Sequence, residues 1–372
     1  MQYFPRFSCV LCLLCLCLAA QAGWAAPARE KVLLDTDMVE FFDDGVAMVM
    51  LANAPNIELL GVTVLSGNSW VEEGTAYALH HLAMEGVDKV PVVPGLEYPL
   101  RPQRHDLFEI ERATMGMGHD SWLGSFGREK PRSWEEFYRD RYQQAPTLAP
   151  LKQHAVQFII DTVRAHPGEV TIAAIGPCGN LALAVRMAPD IVPLIKRVVY
   201  MGGAFFQPGN VTPSAEFNWW FDPEAARIAV RTPFKEQVIF GLDVCEKVVF
   251  RHADYIRLMQ TLDGTRQADL FRNTFVGQTF AANPDFTHYV WDVLVAAYLI
   301  DPTLVTKSVT QHVDVCDQQG LAYGQSLAYP RLAPKGTQKA VIVTDIDIPR
   351  FWNMVNDFQY WRLQRAESAK AK

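Results

Sequence analysis

Positive charge is in short supply in this sequence. Its 34 Lys and Arg residues are outnumbered by 41 Asp and Glu residues, so the formal net charge of the 372-residue chain is −7. Because proteins that bind phosphate backbones use an excess of Lys and Arg, the overall charge gives no support to a nucleic-acid partner. With 49% hydrophobic and 20% charged residues, the composition is that of an ordinary globular protein.

Cysteine is also sparse once the first 20 residues are set aside. Four of the seven cysteines lie there: Cys9, Cys12, Cys15 and Cys17. The others are Cys178, Cys245 and Cys316. Their spacing fits no zinc motif, and although one disulfide is possible in an oxidising compartment, nothing selects a pair. We expect them to be small buried apolar residues.

A long apolar run occurs at the amino terminus. Residues 7–20 are almost wholly apolar, Arg6 precedes them, and small residues offer cleavage sites after Ala22 or Ala26. This layout predicts a cleaved signal peptide, residues 1–26, and an exported protein, periplasmic or secreted, with no membrane partner after cleavage. An uncleaved membrane anchor is the alternative, but the run is short for a membrane span.

The rest of the chain, residues 27–372, alternates short apolar strands with helical patterns. This alternation predicts an α/β fold with an open, mostly parallel central sheet flanked by helices. Short strands from Val309 onward predict a small β-rich appendage at the carboxyl terminus. We find no repeat or linker that divides the chain, and we therefore expect a single domain.

One long stretch, residues 100–150, departs from this alternation. It is rich in charge, Gly, Pro and aromatic residues, and its periodicity is weak. An irregular insertion of this length in a compact domain is often a lid or a binding loop. A disordered surface loop is the alternative interpretation.

Five acidic residues follow the first apolar strand within ten positions: Asp35, Asp37, Glu40, Asp43 and Asp44. They lie where open α/β sheets bind ligands, between the carboxyl end of a strand and the start of a helix. Buried carboxylates that crowd together need a cation, and hard oxygen ligands suit Ca²⁺ or Mg²⁺ better than zinc. The alternative is that Asp43 and Asp44 simply cap the helix.

Further polar residues follow later strands: Asn68, Asn210, Glu216, Asn218 and Asp292. In a parallel sheet these positions gather at one edge. A cation held by Asp37, Asp44 and Asp292 would keep open positions for water and a substrate. The surplus of Asn and Glu suits hydroxyl groups, which predicts a sugar, although Glu216 and Asn218 could also be plain helix-entry or turn residues.

The segment from Asp35 to Asp44 resembles the amino-terminal signature of the inosine/uridine-preferring nucleoside hydrolase family, an Asp-x-Asp followed by an Asp-Asp pair. Four further blocks agree in order: Gly67-Asn68, Gly176-Pro-Cys-Gly-Asn180, the stretch from Met201 to Ala225, and Trp291-Asp292. The resemblance implies an open α/β fold and hydrolysis of the N-glycosidic bond of small-molecule ribonucleosides with a bound Ca²⁺.

The resemblance also implies roles for the matched positions. Asp37, Asp44 and Asp292 would bind Ca²⁺ through carboxylates, the backbone carbonyl of Ile175 would be a further ligand, and Asp37 would also be the base that activates water. The ribose would be held by five polar residues: Asp43, Asn68, Asn210, Glu216 and Asn218. Family members often form oligomers, so a homo-oligomer is possible.

The base is the least determined part of the substrate. Many family members place a His directly before the last Ca²⁺ ligand, where this chain has Trp291, and this resembles the purine-specific subgroup. Stacking on Trp291 would favour a large flat ring, which predicts purine ribonucleosides, although Trp291 could also be an ordinary core residue. Tyr98, His119 and Trp122 lie where other base-contacting residues of the family occur.

The chain departs from the family pattern between Asp37 and Asp43. The family usually has Gly and a polar residue there, and this chain has Val39, Glu40, Phe41 and Phe42. Two other hypotheses therefore stay open: hydrolysis of another N-riboside such as nicotinamide riboside, and a non-catalytic secreted protein that binds a nucleoside or sugar on the same fold.

Overall fold

A computed structural model describes residues 29–357 of the chain. The predicted signal peptide, residues 1–26, lies outside this range. The strands in chain order are β1 (Glu30–Thr36), β2 (Ile57–Val64), β3 (Val92–Pro94), β4 (Val170–Ala174), β5 (Arg197–Met201), β6 (Gln237–Phe240), β7 (Val249–Arg251), β8 (Thr287–Tyr289), β9 (Val305–Val315), β10 (Ser326–Tyr329) and β11 (Gln338–Ile346).

The α-helices in chain order are α1 (Asp44–Asn53), α2 (Val71–Met84), α3 (Phe108–Thr114), α4 (Trp134–Tyr142), α5 (Ala155–Ala165), α6 (Gly179–Met187), α7 (Phe217–Phe221), α8 (Pro223–Arg231), α9 (Leu242–Cys245), α10 (His252–Thr261), α11 (Arg266–Arg272), α12 (Phe275–Ala282), α13 (Asp292–Ile300) and α14 (Ile348–Val355). None of the helices within residues 29–357 is long and apolar enough to cross a membrane.

Nine strands form the central sheet, in the order β10-β9-β11-β6-β5-β4-β1-β2-β3. The pairs from β11 to β3 are all parallel, and β9 is antiparallel to both of its neighbours. The predicted open, mostly parallel sheet flanked by helices is therefore confirmed. The β-rich carboxyl-terminal segment is built onto the edge of this sheet, where Val341 of β11 pairs with Val238 of β6.

Hydrophobic cores cover both faces of the sheet. Val32 and Leu34 belong to one core and Leu33 to the other, because successive side chains of a strand point to opposite faces. Helices α1 and α13 pack against each other and are buried along nearly their whole length. A helix that is apolar all round is stable only in such a position, and this packing brings the start of α13 beside the start of α1.

The insertion, residues 100–150, packs against the rest of the fold through short helices, and α4 contacts α2. It contains α3, α4 and two turns of 3-10 helix, Arg104–Leu107 and Gly124–Gly127. Arg104 is buried, pairs with Glu111 at 2.7 Å and donates to the backbone oxygen of Trp220 at 2.9 Å. The segment is thus anchored to the fold rather than loose on its surface. The single-domain organisation stays a prediction.

The three cysteines of the described residues are free thiols. Cys178 and Cys245 are buried as expected, whereas the expectation is wrong for Cys316, which is partly exposed.

Candidate active site

Acids from opposite ends of the chain meet at the carboxyl edge of the sheet. Asp37 directly follows β1, Asp44 begins α1 and Asp292 begins α13, and all three are buried. The Asp44 carboxyl is within hydrogen-bonding reach of both other carboxyls and accepts a hydrogen bond from Thr36 Oγ1. The long-range juxtaposition implied by the resemblance is therefore present.

Asp43 reaches across to the same helix. Its Oδ1 accepts hydrogen bonds from the backbone N–H groups of Trp291, at 2.9 Å, and of Asp292, at 2.8 Å. It makes no cap bond to α1, the helix it precedes, and its φ of 42° lies in a region that residues other than Gly seldom adopt. The interpretation of Asp43 as a cap of its own helix is therefore wrong, because its side chain caps α13.

Burial raises the pKa of each of these acids. Asp43 has a pKa of about 7, with the neighbouring Asp44 carboxylate as the next cause. The pKa values of Asp37 and Asp292 also lie well above the ordinary range, because each is enclosed and faces other carboxylates. Asp43 can therefore accept or release a proton near neutral pH, and a cation would neutralise the whole cluster.

Two glycines hold Asp37 in place. A Cβ at Gly67 would overlap Asp37 Oδ2 and lie 2.6 Å from its Cβ, and a Cβ at Gly176 would lie 2.8 Å from its Oδ1. The backbone N–H of Asn68 donates to Asp37 Oδ2 at 2.6 Å. These contacts explain why two of the motif blocks contain glycine at these positions.

The predicted ribose-binding residues surround the acids, and several also serve the fold. The Glu216 carboxyl accepts hydrogen bonds from the backbone N–H of Gly203 and from backbone N–H groups of α7, whose amino terminus it caps. Glu216 therefore has a structural role besides the ribose contact predicted for it. Asn210 Oδ1 accepts the N–H of Phe217 at 2.9 Å. Asn218 Nδ2 donates to the carbonyl of Ile175 at 3.0 Å, and the next residue, Gly176, lies against Asp37. Burial raises the pKa of Glu216 to about 7.

A cavity of about 460 Å³ opens above the acids. Nine of the predicted site residues line it: Asp43, Asp44, Asn68, Trp122, Asn210, Glu216, Asn218, Trp291 and Asp292. Trp122 Nε1 donates to Asn68 Oδ1 at 2.8 Å. A cavity of this size that is lined by both polar and aromatic side chains suits one small ligand that has a flat ring and several hydroxyl groups.

Other predicted positions lie elsewhere. His119 and Tyr98 are exposed and are not among the residues that line the cavity. The two unusual phenylalanines have separate fates: Phe41 is buried against His81, whereas Phe42 lines the cavity. The bulk of Phe41 is therefore absorbed by the core, and Phe42 shapes the cavity wall.

Several cavity residues were not predicted from the sequence. They are supplied by the insertion, by the stretch before α12 and by β8, and they include Arg128, Arg141, Asn273, Phe275 and His288. Arg128 donates to the backbone oxygen of Asn68 and contacts Glu73 at 3.1 Å. Arg141 forms an ion pair with Glu40. These segments lack a motif, so only their place in the fold reveals them.

The acid cluster has the donor chemistry of a site for a hard cation. Among residues 29–357, no group of three or more His, Cys, Asp or Glu side chains is arranged so that it could hold a metal ion. The carboxyls contact one another, and yet Asp37 Oδ1, Asp44 Oδ2 and Asp292 Oδ1 are buried without a hydrogen-bond partner. Unpartnered buried carboxylate oxygens are the groups that a divalent cation would satisfy, so the donor set fits such an ion.

Comparisons with known proteins identify the family of the chain. The family model described as inosine-uridine preferring nucleoside hydrolase matches residues 32–353. The pyrimidine-specific ribonucleoside hydrolase RihB of Escherichia coli (strain SMS-3-5 / SECEC) is 32% identical over 337 residues, 88% of this chain and 96% of the relative.

Solved structures give the same result. A plant nucleoside hydrolase has a TM-score of 0.71 at 25% identity, covering 89% of this chain and 98% of that one. A purine-preferring ribonucleoside hydrolase from Gardnerella vaginalis has a TM-score of 0.70 at 25% identity, covering 90% and 98%.

The fold, the site and these relatives define a class of enzyme, the ribonucleoside hydrolases, which are N-glycosidases. The chain belongs to the inosine-uridine preferring nucleoside hydrolase family. This family acts on small-molecule ribonucleosides and depends on a metal ion.

Proposed function

We propose that the protein hydrolyses the N-glycosidic bond of purine ribonucleosides to free base and ribose, with Ca²⁺ as its cofactor. The observation that carries the proposal is the meeting of Asp37, Asp44 and Asp292 below a cavity that is lined by Asn68, Asn210 and aromatic rings. The carboxylates would act at the bond that is cleaved, the side-chain amides would form hydrogen bonds with the ribose hydroxyls, and the aromatic rings would stack on the base.

The mechanism follows from the charge that develops as the base departs. Ribose becomes oxocarbenium-like, and the buried carboxylates around it stabilise that positive charge. Asp37 Oδ1 is buried and has no hydrogen-bond partner, and its raised pKa suits a general base, so we assign it the proton of the attacking water. Asp43 and Asn68 line the cavity beside it and would orient the ribose.

We assign the cation to the carboxylates of Asp37, Asp44 and Asp292 and the carbonyl of Ile175. Bound Ca²⁺ would lower the pKa of a water molecule and neutralise the acid cluster. Hard oxygen ligands alone make up this set, which favours Ca²⁺ over a softer transition metal.

The preference for purines rests on Trp291. Trp291 lines the cavity and directly precedes Asp292, which lines it too. We therefore infer that the Trp291 ring lies beside the reacting centre. A large flat base would stack on it better than a small one. Pyrimidine ribonucleosides are a second candidate, because the relative at 32% identity is named as pyrimidine-specific.

One assay distinguishes the candidates. Release of reducing sugar would be measured from inosine, adenosine, guanosine, uridine, cytidine and nicotinamide riboside, with and without a chelator. We expect chelator-sensitive turnover that is fastest with purines. Fastest turnover of uridine and cytidine would replace the purine assignment, and fastest turnover of nicotinamide riboside would favour the other N-riboside. Ligand binding without turnover of any substrate would favour the non-catalytic alternative.

Variants test the two central residues. We expect Asp37→Ala to lose turnover by at least about 10²-fold while the protein stays folded, because a general base contributes that much. Full purine activity in Trp291→Ala would remove the stacking argument. Thermal unfolding of each variant would separate loss of function from loss of the fold.

We also propose that the protein is exported, on the strength of its first 26 residues. The mature protein would then begin after Ala22 or Ala26. Mass spectrometry of the protein from a cell fractionation checks this, and an intact Met1 in the cytosolic fraction would contradict it.

A further inference from the structure

His288 is a cavity residue to which neither the motif nor the proposed mechanism gives a role. It lies in β8, is partly buried, and lines the same cavity as Asp43 and Trp291. Its ring meets the edge of Trp291 at a centroid distance of 5.3 Å and that of Phe42 at 5.4 Å. These two contacts hold the imidazole beside the indole that is assigned to the base.

The backbone of Tyr289 determines which ring nitrogen carries the proton. His288 Nδ1 lies 2.8 Å from the backbone N of Tyr289 and 3.1 Å from its carbonyl oxygen. A backbone N–H can only donate, so at the shorter contact Nδ1 accepts and the neutral ring carries its proton on Nε2. Burial lowers the pKa of His288, which favours this neutral form.

His288 lines the cavity, and among the described residues none forms a hydrogen bond with its Nε2–H group. Three other cavity donors are already engaged: Trp122 Nε1 by Asn68, Arg128 by Asn68 and Glu73, and Arg141 by Glu40. Trp291 Nε1 also lacks a partner, but it is fully enclosed. His288 thus presents an open neutral donor to the ligand.

We propose that His288 is a catalytic residue that donates a hydrogen bond from Nε2 to the departing base. This inference rests on the proposed nucleoside hydrolysis. As the bond between C1′ and the base nitrogen breaks, its electron pair passes to the base, and the Nε2–H stabilises the negative charge that develops there. The base takes up a proton from solvent as it leaves, and the water that attacks C1′ gives up one, so the imidazole is unchanged after each cycle.

The test compares two leaving groups. 4-Nitrophenyl riboside releases a phenolate that is stable without assistance, whereas inosine and uridine release bases that need it. We expect His288→Phe, which keeps an aromatic ring but has no donor, to lower kcat/KM on the nucleosides by about 10²–10³-fold, as loss of one such donor does. The same variant should change kcat/KM on the nitrophenyl riboside by less than about threefold.

A second variant and a control complete the design. His288→Gln keeps a donor and should recover part of the activity on nucleosides. His312→Phe changes a partly buried histidine of β9 that does not line the cavity, and it should leave both substrates unaffected.

Equal losses on both substrates, or no loss on the nucleosides, would overturn the role of His288 while leaving the hydrolase assignment intact. A wild-type protein that cleaves none of these ribosides would instead refute the proposed function.

Discussion

At the scale of single residues, Asp37 owes its position to the absence of side chains on both sides of it. Gly67 and Gly176 come from different strand ends, and each lies against the Asp37 carboxyl. A carboxyl that must act on a water molecule has to be held within a fraction of an ångström of its working position. Close backbone approach is therefore the physical reason for glycine at both sites.

A substitution at Gly67 tests this account. We expect Gly67→Ala to lower kcat/KM for nucleoside hydrolysis by about 10²-fold or more, because its Cβ would displace the Asp37 carboxyl. Steady-state kinetics with inosine, alongside thermal unfolding, would measure the effect. Gly127→Ala is the matched control: its Cβ would meet only Leu123, at an ordinary 3.5 Å, and activity should be retained. Wild-type kinetics in Gly67→Ala would show that Asp37 is not held this way.

At the scale of elements, two helix starts show what the local sequence can and cannot predict. Asp222 followed by Pro223 is a local signal for the start of a helix, and α8 begins there with Asp222 Oδ1 accepting the N–H of Ala225 at 3.0 Å. Asp43 before α1 is the same kind of signal, and there the alternative interpretation as a cap of its own helix is wrong. Its carboxylate finds the N–H groups of α13 instead, a partner that local sequence cannot reveal.

The Asp222 cap gives a prediction about pH. Asp222 is buried, and burial raises the pKa of its carboxyl from 3.8 to about 7. Because the folded state favours the protonated form, the contribution of Asp222 to stability is fully present below pH 3.8 and is lost as pH rises to about 7. We expect Asp222→Asn, which keeps a cap oxygen, to gain stability relative to wild type over this range, by on the order of a few kcal/mol. Urea unfolding between pH 4 and 8 measures this, and parallel profiles would contradict it.

At the scale of the whole molecule, periodicity predicted the fold, but the site needed more. Alternating strands and helices were enough for an open parallel sheet, since local patterns determine these elements. That Asp292 would meet Asp37 and Asp44 was expected from the gathering of strand ends at one edge of a parallel sheet and from the resemblance, because local periodicity alone does not link positions so far apart. The cavity walls at Arg128, Phe275 and neighbouring positions could not be predicted, since they lie in segments without periodicity or motif.

The joining of acids from both ends of the chain also makes a prediction about stability. A cation held by β1, α1 and α13 together binds only the folded state, so it should stabilise the protein by about 2.7 kcal/mol when its free concentration is 100 times the dissociation constant. We expect Ca²⁺ to raise the melting temperature and a chelator to lower it. Calorimetry measures this effect independently of activity.

Two variants decide where that cation binds. Asp292→Asn should abolish the shift with Ca²⁺, because it removes one of the three carboxylates that form the proposed site. Asp314→Asn changes another buried acid, which lies on β9. Asp314 forms ion pairs with Arg227 and Arg231 of α8. The substitution should lower the melting temperature yet keep the full response to Ca²⁺. A full Ca²⁺ response in both variants would place the cation elsewhere. The two ends of the chain would then be joined by hydrogen bonds and packing alone.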